Sequence, residues 1–191
     1  MALPGLRALI DGPFLTAWTI RLALLVLAGS LLLRLVEPLW PCPWRIRRNV
    51  WTVGCGLFLL QIAAGMHFYH AWSHAHAYTE TALQTEALLG VRFGGGIYFN
   101  HLMALLWTGD VLWWWLAPTR YALRGPRWEQ AMVGYFLFIA FNGLVVFKEG
   151  MLRWAGLLGL AILLLAWIAL PLLGRLPRLA DAEPADSFEK P

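Results

Sequence analysis

Lysine is nearly missing from this chain. Of its fifteen basic residues only Lys148 and Lys190 are lysines, and the rest are arginines. Charge of either sign is scarce as well, at 14% of 191 residues. Soluble domains carry about 25% charged residues, so an ordinary soluble domain is excluded. The net charge of +4 is small, and no basic run resembles a nucleic-acid-binding arm, which excludes nucleic acid as a partner. Cysteine is limited to Cys42, in a Pro-Cys-Pro turn, and Cys55, inside an apolar run. Two such residues are not expected to meet, and they leave neither a disulfide framework nor a Cys-x-x-Cys metal knuckle. A basic n-region and a small-residue cleavage site are missing too, so the first apolar span is expected to be retained. There is no internal repeat.

What the chain has in quantity is apolar surface. Hydrophobic residues make up 60%, and the mean hydropathy is +0.61. The apolar runs predict an all-α, polytopic membrane protein whose transmembrane domain, residues 1–173, holds five helices. The spans are placed at 14–36, 50–72, 97–116, 128–147 and 152–173, each long enough for about 30 Å of hydrocarbon. Residues 1–12 form a mildly amphipathic lead, and the polar residues 174–191 read as a disordered cytoplasmic tail. Between the second and third spans, residues 77–90 read as a short interfacial helix at the outer face. Thr81 and Gln84 offer a capping box there, and Gly90 offers a C-terminal stop. The Gly94-Gly95-Gly96 run then turns the chain back.

Counting Lys and Arg sets the expected orientation. With the N-terminus outside, loop 37–49, loop 117–127 and the tail hold nine, against four (Arg7, Arg92, Lys148, Arg153) on the outer side. That bias predicts N-out and C-in, in a bacterial inner membrane. The tryptophans divide into matching belts, with Trp18, Trp72 and Trp154 outside. Trp40, Trp44, Trp51, Trp113, Trp114, Trp115 and Trp128 are placed inside.

Four of the five histidines lie in one stretch, His67-Phe-Tyr-His70-Ala-Trp-Ser-His74-Ala-His76. On a continuous helix His67, His70 and His74 share one face, within an arc of roughly 60°, while His76 points away. In the predicted topology this face meets His101 and Asn100 at the start of the third span. Asn142 and Glu149 at the end of the fourth span share that level. Neutral imidazoles joined by a carboxylate (Glu80, Glu86 or Glu149) suit iron, copper or zinc, so the expected ligands are His67, His70, His74 and His101. His76, Glu80, Asn100, Asn142 and Glu149 are candidate additional ligands or supports. On the fourth span Tyr135, Asn142 and Glu149 form a stripe spaced seven apart.

Three polar residues fall within the predicted spans: Arg21, Gln61 and Asp110. An intramembrane carboxylate is a functional candidate by default. Asp110 and Gln61 are expected at nearly the same depth, where a hydrogen bond between them would fix helix packing. Arg34 is expected to snorkel to the interface, and Arg21 lies deeper and needs a counter-group.

The leading functional expectation is a transition-metal site at the outer membrane face, with redox or metal-handling chemistry. A second class is an accessory subunit of a respiratory or photosynthetic complex, holding haem b between two histidines on different helices. A third is a small transporter using Arg21, Asp110 and the histidines. The partners expected are the lipid bilayer and other membrane subunits. His70-x-x-x-His74 resembles one histidine box of the membrane fatty-acid desaturases and hydroxylases. Those families need further boxes on the cytoplasmic side, which five histidines with an outward cluster do not supply, so no membership is claimed.

Overall fold

The structure, a computed structural model, describes residues 12–36, 42–143 and 150–173. Among them every regular element is helical. They are α1 (Gly12–Val36), α2 (Trp44–Phe68), α3 (His74–Leu89), α4 (Gly96–Leu116), α5 (Pro118–Ala122), α6 (Pro126–Phe141) and α7 (Gly150–Leu173). Two of them contain stretches long and apolar enough to cross a membrane, Gly12–Arg34 and Trp44–Phe68.

The bundle is built on α1, α2, α4 and α6. Three contacts show that α1 and α2 run antiparallel. Gly12 lies against Phe68, Val26 lies against Gly54, and the Arg34 guanidinium sits 4.6 Å over the Trp51 ring. The next pair, α2 and α4, is also antiparallel, with Trp51 opposite Asp110 and Cys55 opposite Thr108. A core of large rings fills the centre. Trp107 lies 4.9 Å from Trp51, 5.8 Å from Phe58 and 5.1 Å from Phe136, and Trp107 and Phe136 are fully buried. Such edge-tilted pairs add to the area they bury. Gly54 makes room for this: a Cβ there would stand 2.8 Å from the Trp107 ring.

Several boundaries move relative to the sequence expectation. The second span begins earlier, at Trp44, and its helix ends at Phe68, short of the expected residue 72. The short helix expected over residues 77–90 exists, but it starts at His74. Ser73 caps it by accepting from the His76 backbone N–H at 3.3 Å, so the Thr81 capping box is not its start. Gly90 does end it, in the left-handed conformation with φ 71°. The 117–127 loop contains a helical turn, α5, opened by Pro118. The three glycines serve close packing: a Cβ at Gly94 would collide with the Tyr78 carbonyl, and one at Gly96 would stand 3.1 Å from Thr81. The lead before residue 12, the tail beyond 173 and Glu149 lie outside the described residues.

The inner tryptophan belt is also revised. Trp51 is 2% and Trp114 8% exposed, so both belong to the core, whereas Trp115 is 47% exposed. Consecutive helical residues point about 100° apart, so a run of three cannot all face away from the bundle.

Candidate functional site

The histidines sit where α2 ends, α3 begins and α4 begins. Their geometry is not the single-face triad expected. The helix stops at Phe68, and the chain turns through Ala71 and Trp72, whose φ values of 46° and 60° are left-handed. Non-glycine residues seldom adopt that region. The break re-aims every ring beyond it. His67 is left beside Phe68 and Trp72, with ring centroids 4.8 and 6.5 Å away, and joins no other histidine. His70 instead meets His76 at 5.6 Å, so His76 faces into the cluster and not away from it. His74 meets His101 across the α3–α4 interface, at 4.9 Å with ring planes inclined by 32°.

One of these rings is fixed by a hydrogen bond, and one has a ring nitrogen without a partner among the described residues. His101 Nδ1 lies 2.7 Å from the Ile97 carbonyl oxygen, which can only accept. Nδ1 therefore donates to it, which leaves Nε2 as the ring nitrogen not engaged in this bond. The Nδ1 atom of His70 is buried and finds no hydrogen-bond partner among the described residues. Glu80 approaches His76 at 3.8 Å, and Glu86 is paired with Arg92 at the same distance. Asn100 is exposed. Asn142 donates back to the Phe138 carbonyl of its own helix at 2.8 Å, and Tyr135 donates to the Phe99 carbonyl at 2.7 Å. The expected Tyr135–Asn142–Glu149 stripe thus does not reach the histidines through Tyr135 or Asn142. Among the described residues, no group of three or more His, Cys, Asp or Glu side chains is placed to hold a metal. The arrangement is two imidazole pairs.

The opposite end of the bundle holds a polar network that the sequence reading missed. Asp110 is 5% exposed, and its Oδ2 accepts from the Trp51 indole at 2.9 Å and from the Tyr121 hydroxyl at 2.8 Å. Gln61, ten residues farther along α2 than Trp51, lies roughly 15 Å away along the axis. The expected Asp110–Gln61 bond is therefore replaced by Trp51 and Tyr121. The Arg34 guanidinium turns inward to Glu129 at 3.2 Å and to the Tyr121 oxygen at 3.3 Å, over the Trp51 ring. Arg124 completes the group, 3.5 Å from Glu129 and 3.8 Å over the Tyr121 ring. Tyr121 also stacks on Trp114 at 4.5 Å.

Two arginines and two carboxylic side chains meet here, and the network ties α1, α2, α4, α5 and α6 together. Burial pushes the Tyr121 phenol well above the ordinary range. Asp110 adds to that shift, while Arg34 and Arg124 oppose it. Arg21 lies away from both polar centres, exposed on α1 beside Trp18. The chain matches no protein-family model, no curated protein and no solved structure.

Proposed function

We propose that this chain is a polytopic membrane protein that handles a transition metal at its histidine end, which faces outward. The observation that carries the reading is the His74–His101 pair. Two bonds of about 2.1 Å at a tetrahedral metal put the ring centroids roughly 5 Å apart, and the pair stands at 4.9 Å. A metal-bound imidazole commonly donates its second N–H to a carbonyl, as His101 does to Ile97. Haem b, which two histidines on different helices would hold, would be the less favoured occupant of a pair this close.

Two protein ligands leave positions open for water, substrate or a transfer partner, which suits exchange of a labile ion better than a permanent structural metal. His70 and His76 form a second pair at the same end, with Glu80 beside them. Zinc or copper(II) suits imidazole donors.

The five-span, N-out and C-in topology belongs to the same proposal. Supporting it, α4 has 21 residues with Asp110 as its one charged residue, and α7 has 24 with Arg153 alone. In that topology the arginine-rich end, with Arg45, Arg47, Arg48, Arg120, Arg124 and Arg127, meets the cytoplasm.

The test is metal content and zinc titration of the purified protein in detergent. His74→Ala and His101→Ala are each expected to lower affinity at least tenfold, and His67→Ala is expected to leave it unchanged. An optical spectrum of the same sample reads haem directly through its Soret band. Equal zinc affinity in all three variants and the parent would overturn the proposal.

A further inference from the structure

Arg21 has no counter-charge within this chain's described residues, although it lies nine residues into α1, roughly 13 Å from the start of that helix. Among the described residues the exposed guanidinium lies over the Trp18 ring, 5.3 Å from its centroid. The opposite face of α1, with Thr19, Ala23, Leu27 and Leu31, is buried in the bundle. Arg21 belongs to a second face. Phe14, Trp18, Leu22 and Leu25 are each at least 42% exposed, and positions 14, 18, 21 and 25 repeat at spacings of four, three and four. That is the spacing of a helix-packing seam.

An apolar face of this kind can meet lipid unaided. An arginine at that depth cannot do so cheaply, because hydrocarbon supplies neither an acceptor nor a counter-charge. We propose that this face of α1 docks a transmembrane helix of a different protein, which presents an Asp or Glu to Arg21. A second copy of this chain does not fit the role with Asp110, which is buried, bonded to Trp51 and Tyr121, and at the other end of the bundle. The inference rests on reading α1 as a membrane span and is independent of the metal site.

The test uses the full-length protein in phosphatidylcholine vesicles with a synthetic leucine-rich transmembrane peptide carrying one Glu at matching depth. Its Gln counterpart is the control, and association is read by energy transfer. The Glu peptide is expected to associate at least tenfold more tightly than the Gln peptide. Arg21→Leu is expected to abolish the difference, and Arg21→Lys to retain it. Arg21→Leu keeps every buried contact of α1, so its thermal unfolding in detergent should match the parent.

In native membranes, a photo-cross-linker at Trp18 or Leu25 should give a heterologous adduct that Arg21→Leu removes. Neutralising the intramembrane carboxylate of the captured protein should remove it too. Adducts with lipid alone, adducts with a second copy, or equal binding of the Glu and Gln peptides would each overturn the pairing while leaving α1 a span. Labelling of Leu25→Cys by a water-soluble maleimide in vesicles would instead overturn the span reading, and the pairing with it.

Discussion

The indole of Trp51 and the hydroxyl of Tyr121 converge on one oxygen of Asp110, at 2.9 and 2.8 Å, from two separate helices. A buried carboxylate oxygen holding two donors fixes both rings, and through them fixes α2 and α5 against α4. Arg34 and Glu129 extend the same grip to α1 and α6.

Removing the acceptor strands both donors. Asp110→Ala is expected to destabilise the protein by about 3 kcal/mol, and Asp110→Asn, which keeps one acceptor oxygen, by about 1 kcal/mol. Thermal unfolding in detergent, followed by tryptophan fluorescence, measures both. Equal losses would show that charge and not hydrogen bonding matters at this position.

Arg34 works as a plane as well as a charge. It lies over Trp51 while reaching Glu129 and the Tyr121 oxygen, and a lysine cannot do all three. Arg34→Lys is expected to cost about 1 kcal/mol, most of it from the ring contact, since Glu129 is 41% exposed and its ion pair is screened. A double-mutant cycle with Glu129→Gln separates the two contributions.

The Tyr121 phenol gives a pH prediction. Its folded pKa is raised above the unfolded value near 10, chiefly by burial, so the folded state favours the neutral phenol. That contribution is complete below about pH 10 and is lost as pH rises toward and through the folded value. The ultraviolet phenolate titration of the folded protein should therefore be the same in wild type and in Tyr121→Phe up to pH 10. A tyrosine step near pH 10 that Tyr121→Phe removes would contradict the buried placement.

Gly54 offers a steric test at the centre of the core. A methyl there meets the fully buried Trp107 ring at 2.8 Å, and that ring is itself packed by Trp51, Phe58 and Phe136. Gly54→Ala is expected to cost about 1 to 3 kcal/mol, although alanine is the better helix former. Gly56, with open space around its Cβ position, should gain from the same change. The two variants measured side by side distinguish packing from helix propensity.

These variants probe what was least legible in the sequence. The apolar runs announced the long helices, and Gly90 announced its own stop, because hydropathy and left-handed caps leave local signatures. The histidine end was half visible. Clustering in sequence drew attention to it, and His74 with His101 does form a contact. The partnering was wrong because it assumed one unbroken helix. Ala71 and Trp72 carry no signature of a left-handed turn, and that turn decides where His70, His74 and His76 point. The arginine end was misread for a different reason. Trp51 and Trp114 count as interfacial aromatics in a hydropathy reading and Tyr121 falls in a loop, so none of them suggests itself as a partner for the buried Asp110 or the half-buried Arg34. Gln61 was chosen from an estimated depth, and antiparallel register places it well away.

The lock at the arginine end also has a time dimension. Arg34 and its carboxylate partner Glu129 are separated by 95 positions, and Trp51 and Asp110 by 59. A ribosome completes Arg34 and Trp51 long before Glu129 and Asp110 exist. Until α4, α5 and α6 arrive, the first helical hairpin must carry an uncompensated guanidinium, held only against its own tryptophan. If α1 and α2 span a membrane as proposed, early assembly is the period in which Arg34 would need the insertion machinery or headgroup phosphates for shelter. A nascent chain arrested before residue 110 should be a better substrate for membrane quality-control proteases than one arrested after residue 129.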